Sequence, residues 1–183
     1  APAYHEAMQV AGELKSVTLA GEANKGRVAI VFDYQSEWAW EIQPQAAGFS
    51  HGAHVRALYG AFRKHGIDID ILPPSTKSFA GYDIVAIPAL FAWNEALRNA
   101  IADFDGHLLI GPRSGSKTEN FAIPEKLAPD LPRNLLDVTV ARIDSLDPAL
   151  GIEVRGGGAI HHWRERIETR ANVVIEDGDG WPV

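Results

Sequence analysis

The stretch RVAIVFDYQSEWAWEIQPQ, residues 27–45, decides the fold of this chain. It opens with an apolar run, Val28 to Phe32, whose residues are mostly β-branched or aromatic. Such a run is too short for a surface helix, and its lack of alternation favours a strand that is covered on both faces. Asp33 ends the run, and an aromatic-rich connection follows. The stretch therefore predicts a central parallel strand whose carboxyl end leads into a segment where α/β proteins usually carry their function.

Further along the chain, apolar segments alternate with amphipathic ones. Apolar residues at helical spacing predict helices at residues 51–65 and from about residue 94. Three further strands are predicted between and after them, at residues 67–71, 82–87 and 108–110. Strands that alternate with helices of this length predict right-handed βαβ crossovers and a parallel sheet. We therefore predict an α/β domain of flavodoxin-like, three-layer architecture with a mainly parallel sheet.

The alternation is lost beyond Gly111, and the two ends of the chain follow other patterns. We predict short strands at residues 138–143, 152–154 and 173–175, whereas residues 159–169 fit either a helix or a strand. Near the start, apolar residues at helical spacing predict a helix at residues 4–14, and residues 21–26 form a polar break. We divide the chain into a lead-in from a preceding domain, residues 1–26, and a single α/β domain, residues 27–183.

Composition limits the classes of function. At 183 residues the chain suits one well-buried domain. The net charge of -7 argues against a nucleic-acid partner, which needs a concentrated basic surface. The absence of cysteine excludes disulfides, thiolate metal sites and cysteine nucleophiles, and is compatible with a cytoplasmic location. We find no apolar run long enough to span a membrane and no signal peptide.

One functional alternative is a free-standing hydrolase of the amidotransferase-like α/β type. Such an enzyme needs a nucleophile on the turn that follows a strand, with a base within hydrogen-bond reach. The turn in the right place is Pro88-Ala89-Leu90-Phe91, which contains no nucleophile. Asp33, Ser114 or a histidine would have to act instead, so the pattern favours this alternative only weakly.

A second alternative is a small-molecule binding module of flavodoxin type. Residues 111–118, GPRSGSKT, faintly resemble a phosphate loop, but Ser116 stands where glycine is required before the lysine. No helix pattern follows, so phosphate would lack a cradle of backbone amides. We interpret the segment as a turn after the fourth strand and predict no bound cofactor.

Other groups of polar residues have ordinary structural explanations. The histidine pairs His51/His54 and His161/His162 lack a further ligand at recognisable spacing, so we predict no metal site. The DGDG segment at residues 177–180 lacks the spacing of a calcium loop and predicts a tight turn. We interpret three carboxylates after the first strand as acids of a helix start or a loop rather than a glycosidase pair, namely Asp33, Glu37 and Glu41.

The aromatic side chains after the first strand are the candidate functional residues. Any single ring is more simply explained by packing, but a group of rings at the edge of the sheet is also typical of a protein–protein contact. We predict a subunit interface at Tyr34, Trp38, Trp40 and Phe49.

Several segments, in order, resemble one known family. VAIVFDYQSEWAWEIQPQ, FRKHGIDIDIL, YDIVAIPAL and LLIGPRSGSKTEN resemble the middle domain of glycoside hydrolase family 42 β-galactosidases, and HHWRERIETRANVVIEDGDGWPV resembles its closing segment. The resemblance covers nearly the whole chain, although residues 121–160 match least clearly. It implies a trimerisation domain with a fold like that of class I glutamine amidotransferases.

The resemblance also implies where the chemistry is. In that family the catalytic glutamates lie on a preceding (β/α)₈ barrel, which takes roughly 250 residues and does not fit in this chain. It therefore implies a non-catalytic domain whose partners are further copies of itself, as a homotrimer, and the barrel of its own polypeptide. The whole protein is then expected to hydrolyse terminal β-D-galactosides.

Overall fold

The computed structural model of this chain describes residues 2–17, 25–44, 46–147 and 149–183. Four helices and eight strands lie in the described ranges. In chain order they are α1 (Pro2–Leu14), β1 (Val28–Val31), α2 (Tyr34–Ile42), α3 (His51–Lys64), β2 (Ile69–Leu72), β3 (Ile84–Ile87), α4 (Glu95–Ala102), β4 (His107–Ile110), β5 (Val138–Ser145), β6 (Ile152–Glu153), β7 (Ala159–Ile160) and β8 (Trp163–Thr169). No helix in these ranges has the length and apolar character needed to cross a membrane.

The first four strands form one parallel sheet in the order β2-β1-β3-β4. β1 is central, since Ile30 pairs with Ile71 of β2 on one side and with Ala86 of β3 on the other. Hydrophobic side chains cover both faces of the sheet, and this explains why β1 has four buried residues without alternation. The predicted α/β, flavodoxin-like sheet is confirmed.

The two faces of the sheet pack against different helices. Ala29 and Val31 point into a core that includes Leu97 and Ile101 of α4. Ile30 points the other way, towards Val55 and Leu58 of α3. Together these contacts make the three layers that the alternation of strands and helices predicted.

The second half of the chain forms antiparallel ribbons. β5 pairs with β8, and β6 pairs with β7, so residues 159–169 are strands and not a helix. Arg164 on β8 is buried and pairs with Asp144 of β5 and with Asp177 at the end of the chain. This buried cluster of opposite charges joins the ribbon to the final turn.

β4 is the last strand of the parallel sheet, and a cavity lies along its free edge. His107 and Gly111 donate their N–H groups towards β3, so Leu108 and Ile110 direct their backbone groups away from it. A cavity of about 620 Å³ separates this edge from β5 and β8, which form the opposite wall. Its lining is mainly apolar, as the wall residues Val140 and Ile167 illustrate.

Two predictions about local structure are wrong. The connection after β1 contains a helix, α2. Asp33 caps this helix, and the helix places Trp40 in the core while Tyr34 and Trp38 face solvent. Residues 173–175 are exposed and form no strand, because only Glu176 and Asp177 make isolated bridges. Residues 21–24 of the predicted polar break lie outside the described residues.

Candidate association surface

Helix α2 begins directly after the central strand because of one side chain. The carboxylate of Asp33 accepts hydrogen bonds from the backbone N–H groups of Gln35 (3.2 Å) and Ser36 (2.9 Å). It thereby satisfies amides that have no partner within the helix. The buried Ser36 hydroxyl donates to Asp33 and accepts from the N–H of Phe91, which fixes α2 against the turn after β3.

The outer face of α2 carries an exposed apolar stripe. Tyr34, Trp38 and Ile42 are 66%, 57% and 85% exposed, and they stand four residues apart. Residues at this spacing lie on one side of a helix, and the rings of Tyr34 and Trp38 are 6.1 Å apart. We call these three residues the α2 stripe.

The inner face of α2 is anchored by Trp40, which is 3% exposed. The centroid of its ring lies 4.4 Å from Phe49, 5.1 Å from Phe91 and 6.4 Å from Trp163 of β8. Of the four residues predicted to form an interface, Tyr34 and Trp38 are therefore on the surface, whereas Trp40 and Phe49 lie behind them.

A buried arginine completes this aromatic cluster. The Arg113 guanidinium carbon lies 4.5 Å from the ring centroids of Trp40 and Phe91 and 4.9 Å from that of Trp163. Burial lowers the pKa of Arg113 to about 10, against the opposing effect of Glu165. Burial also raises the pKa of Glu165, although its carboxylate accepts hydrogen bonds from the backbone N–H of Arg113 and from the indole N–H of Trp163. The cluster holds α2 and β8 together through stacking.

Sequence reasoning missed two residues of this region. Ile42 completes the α2 stripe, and the spacing of residues 34, 38 and 42 would have indicated it if the segment had been interpreted as a helix. Arg113 had no comparable signal, because its role depends on aromatic residues from three distant segments.

The turn after β3 does not resemble a nucleophile site. Ala89, Leu90 and Phe91 are almost fully buried. The buried Ser114 hydroxyl accepts a hydrogen bond from the Leu90 N–H at 3.3 Å, and within the described ranges it has no hydrogen bond to a histidine or a carboxylate. The hydrolase alternative is therefore not favoured.

The segment that resembles a phosphate loop is a turn, as predicted. The N–H groups of Gly115 and Lys117 donate to the carbonyls of Leu90 and Phe91, and that of Ser116 donates to Arg113. A Cβ at Gly111 would lie 1.7 Å from the Pro88 carbonyl oxygen, so the two turns pack backbone to backbone. These amides are already used and do not form a cradle for phosphate.

The histidines and carboxylates near α2 have partners of their own. Nδ1 of His51 lies 2.5 Å from the Glu37 carboxylate, and Nε2 of His54 lies 3.3 Å from the Pro88 carbonyl oxygen. Burial lowers the pKa of His54. Glu41 is exposed on α2. In the parts of the chain that the structure describes, no three potential ligands are grouped to hold a metal ion.

The remaining polar candidates lie in the second half of the chain. Nδ1 of His162 is 3.0 Å from the Ala47 carbonyl oxygen, and the rings of His161 and His162 are 6.4 Å apart. The DGDG segment is a tight turn, as predicted, in which Asp177 accepts hydrogen bonds from the N–H groups of Asp179 and Trp181.

Comparison with known proteins identifies the family. Residues 26–178 match the family described as the beta-galactosidase trimerisation domain. This chain belongs to that family. The resemblance to glycoside hydrolase family 42 is thereby confirmed, and the matched residues include the sheet, both helical layers and both ribbons.

Relatives and solved structures agree with this assignment. The trimerisation domain is 39% identical to a β-galactosidase of Thermus thermophilus, in an alignment that covers 97% of this chain and 28% of the relative. The crystal structure of a β-galactosidase from Marinomonas ef1 is 37% identical, with a TM-score of 0.81 over 94% of this chain and 26% of that one. A β-galactosidase from Halorubrum lacusprofundi gives 31% identity and a TM-score of 0.82 over 98% of this chain and 28% of that one. The trimerisation domain thus spans little more than a quarter of the length of these proteins.

Proposed function

We propose that this chain is a non-catalytic association module that holds three copies of a β-galactosidase together as a homotrimer. One observation carries the proposal: the carboxyl edge of the sheet, where an α/β enzyme has its reactive groups, is filled by packed backbone and aromatic rings. The turn at residues 88–91 has no nucleophile, and the neighbouring loop amides bind backbone carbonyls. What this edge presents instead is the apolar outer face of α2.

The subunit interface is proposed to include the aromatic group of Tyr34, Trp38, Trp40 and Phe49. Tyr34 and Trp38 supply exposed contact area, and both ring types are enriched at interface hot spots. Trp40 and Phe49 support them from behind, since their rings are 4.4 Å apart under α2. A rigid support of this kind lowers the entropy cost of ordering an interface.

Membership of the family supports further proposals about the whole protein. Residues 1–26 are proposed to connect the domain to a preceding catalytic barrel, and the whole protein is proposed to cleave terminal β-D-galactosides with retention. The relatives that share 39% and 37% identity are named β-galactosidases. We propose a cytoplasmic protein with neither nucleic acid nor membrane as a partner, consistent with the net charge of -7 and the absence of cysteine.

Two measurements on the purified chain test this function. Light scattering is expected to give three times the mass of one chain, and a chromogenic β-galactoside is expected to remain uncleaved. Turnover that survives repurification would contradict the non-catalytic role, whereas a stable monomer at high concentration would contradict the association role. Addition of flavin or nucleotides is expected to leave the melting temperature unchanged, because the loop at residues 111–118 has no free amide cradle.

A further inference from the structure

We infer that the copies associate through two different surfaces, the α2 stripe of one copy against an apolar turn of the next. The turn carries Phe121, Ile123 and Leu127, which we call the 121–127 patch. The inference rests on the proposed function, because it assumes that the chain associates with itself. It goes further by naming both halves of the contact and the way in which they pair.

Symmetry requires two surfaces. A ring of three identical subunits has no two-fold axis between neighbours, so each contact joins one surface of a subunit to a different surface of the next. A chain that forms such a ring must carry two different contact surfaces. A single self-complementary patch would give a dimer instead.

The α2 stripe has the size and character of one half of this contact. An aromatic side chain has a surface of roughly 150–250 Å². With the exposed fractions given above, the three side chains of the stripe together expose about 350 Å². An area of about 350 Å² is within the roughly 300–600 Å² of the largest apolar patch on a typical monomer, a patch that is often functional. About 800 Å² per partner is usual for a stable interface, so the stripe provides the apolar centre and the surrounding polar surface provides the rim.

The 121–127 patch is held in place by a tight turn. The Phe121 N–H donates to the Thr118 carbonyl at 2.8 Å, and the Thr118 N–H donates to the Ala122 carbonyl at 2.9 Å. Phe121 has a φ of 58°, a left-handed conformation that is strained for a bulky side chain. Ile123 and Leu127, in the segment that follows this turn, are 83% and 63% exposed. Strained conformations cluster at functional sites, and here one adjoins large apolar side chains that meet solvent.

Both patches adjoin the same packed aromatic cluster. The ring centroid of Phe121 lies 6.2 Å from that of Phe91, and the centroid of Phe91 lies 5.1 Å from that of Trp40. Trp40 and Trp38 are two residues apart in a helix, so they point in directions about 200° apart. The α2 stripe therefore lies on the opposite side of α2 from Trp40, whereas Phe121 approaches the cluster through Phe91. The two patches are thus separate surfaces attached to one packed base, as a closed ring requires.

Complementation between two variants tests this pairing. Trp38→Glu disables the α2 stripe, and Ile123→Glu disables the 121–127 patch. Each variant alone is expected to be a monomer by light scattering, with unchanged circular dichroism. An equimolar mixture is expected to form a dimer, because one intact stripe and one intact patch remain between the two variants. Val174→Glu is the matched control, since Val174 is 86% exposed outside both patches, and it is expected to remain a trimer.

The other outcomes are distinguishable. If both variants remain trimers, the two surfaces are not the contact and the proposed aromatic interface falls with them, although the association role of the domain stands. If both are monomers and their mixture stays monomeric, the surfaces do not meet each other and the inference is overturned. A monomeric wild-type chain would overturn the proposed function together with the inference. Trp38→Ala and Ile123→Ala, which add no charge, are measured alongside; they are expected to weaken trimer formation on dilution, and unchanged association of both would count against the contact.

Discussion

Two tryptophans on α2 give a controlled test of which face of the helix belongs to the core. Trp40 is 3% exposed and Trp38 is 57% exposed, although they are two residues apart. At about 25 cal/mol per Å², burying roughly 150–250 Å² of ring stabilises the fold by about 4–6 kcal/mol. A compact unfolded state reduces this value by roughly 10–40%. We therefore expect Trp40→Ala to lower the free energy of unfolding by about 4 kcal/mol, within the range of about 3–5 kcal/mol for such substitutions.

Trp38→Ala is the matched control for this measurement. A substitution at a surface position that makes no buried contacts changes the free energy of unfolding by no more than about 0.5 kcal/mol. In a domain of this size each kcal/mol shifts the melting temperature by roughly 2–4 °C, so Trp40→Ala should melt about 8–16 °C lower. Association adds to apparent stability, so both variants must be compared at a protein concentration where the wild type is monomeric.

Urea unfolding followed by circular dichroism gives the required free energies. Trp40→Ala also removes one wall of the stack around Arg113, which adds to the loss. If Trp40→Ala lost less than about 1 kcal/mol, or Trp38→Ala lost more than Trp40→Ala, the orientation of α2 and the packing argument built on it would be wrong.

Three further predictions concern the backbone and the charged groups. Gly111→Ala is expected to prevent folding, seen as loss of cooperative melting, because its Cβ would lie 1.7 Å from the Pro88 carbonyl oxygen. Gly60→Ala, in open space on α3, is the control and should gain about 0.5–1 kcal/mol; an unfolded Gly60→Ala or a stable Gly111→Ala would refute this account. Hydrogen bonds, first from Arg166 and then from Arg164, lower the pKa of Asp144 to about 2. The associated stability is present above about pH 4 and lost towards pH 2, so urea titrations at several pH values should show a smaller acid loss in Asp144→Asn than in the wild type. Burial raises the pKa of Glu165, so the folded state favours the protonated carboxyl group. The stability that this preference contributes is fully present below about pH 4.5 and is lost as the pH rises through the pKa of the folded state. The stability of Glu165→Gln relative to the wild type should therefore rise with pH, and a flat difference would contradict the burial of this carboxyl group.

The parallel sheet could be predicted because its signals are local. Val28 to Val31 form an unbroken apolar run, and Gly66 and Gly106 mark the ends of the helical segments before β2 and β4. Each of these features depends on residues that are neighbours in the chain. Most of the segments that resemble the family lie in the same part of the chain as these local signals.

The contact region was only partly predictable, because its residues come from separate segments. The aromatic residues of α2 stand out in the sequence, but tryptophan and tyrosine are only moderate helix formers. Asp33 fits a helix start or a loop equally well from the sequence, and its capping hydrogen bonds are visible only in the structure. Without an established helix, the spacing that adds the exposed Ile42 to the group carries no signal. The 121–127 patch lies where the resemblance was least clear, and its shape depends on a left-handed Phe121 that no sequence pattern indicates.

The ribbon opposite β4 also limits how molecules of this protein can join. An uncovered outer strand offers free amide and carbonyl groups that recruit a strand from any other copy, and such growth has no natural end. Here the peptide groups of Leu108 and Ile110 look onto a cavity whose far wall is the protein's own β5 and β8. The ribbon thereby keeps a strand of another molecule from pairing with β4. Association at this edge must then use side-chain contacts, which can be limited to a fixed number of copies.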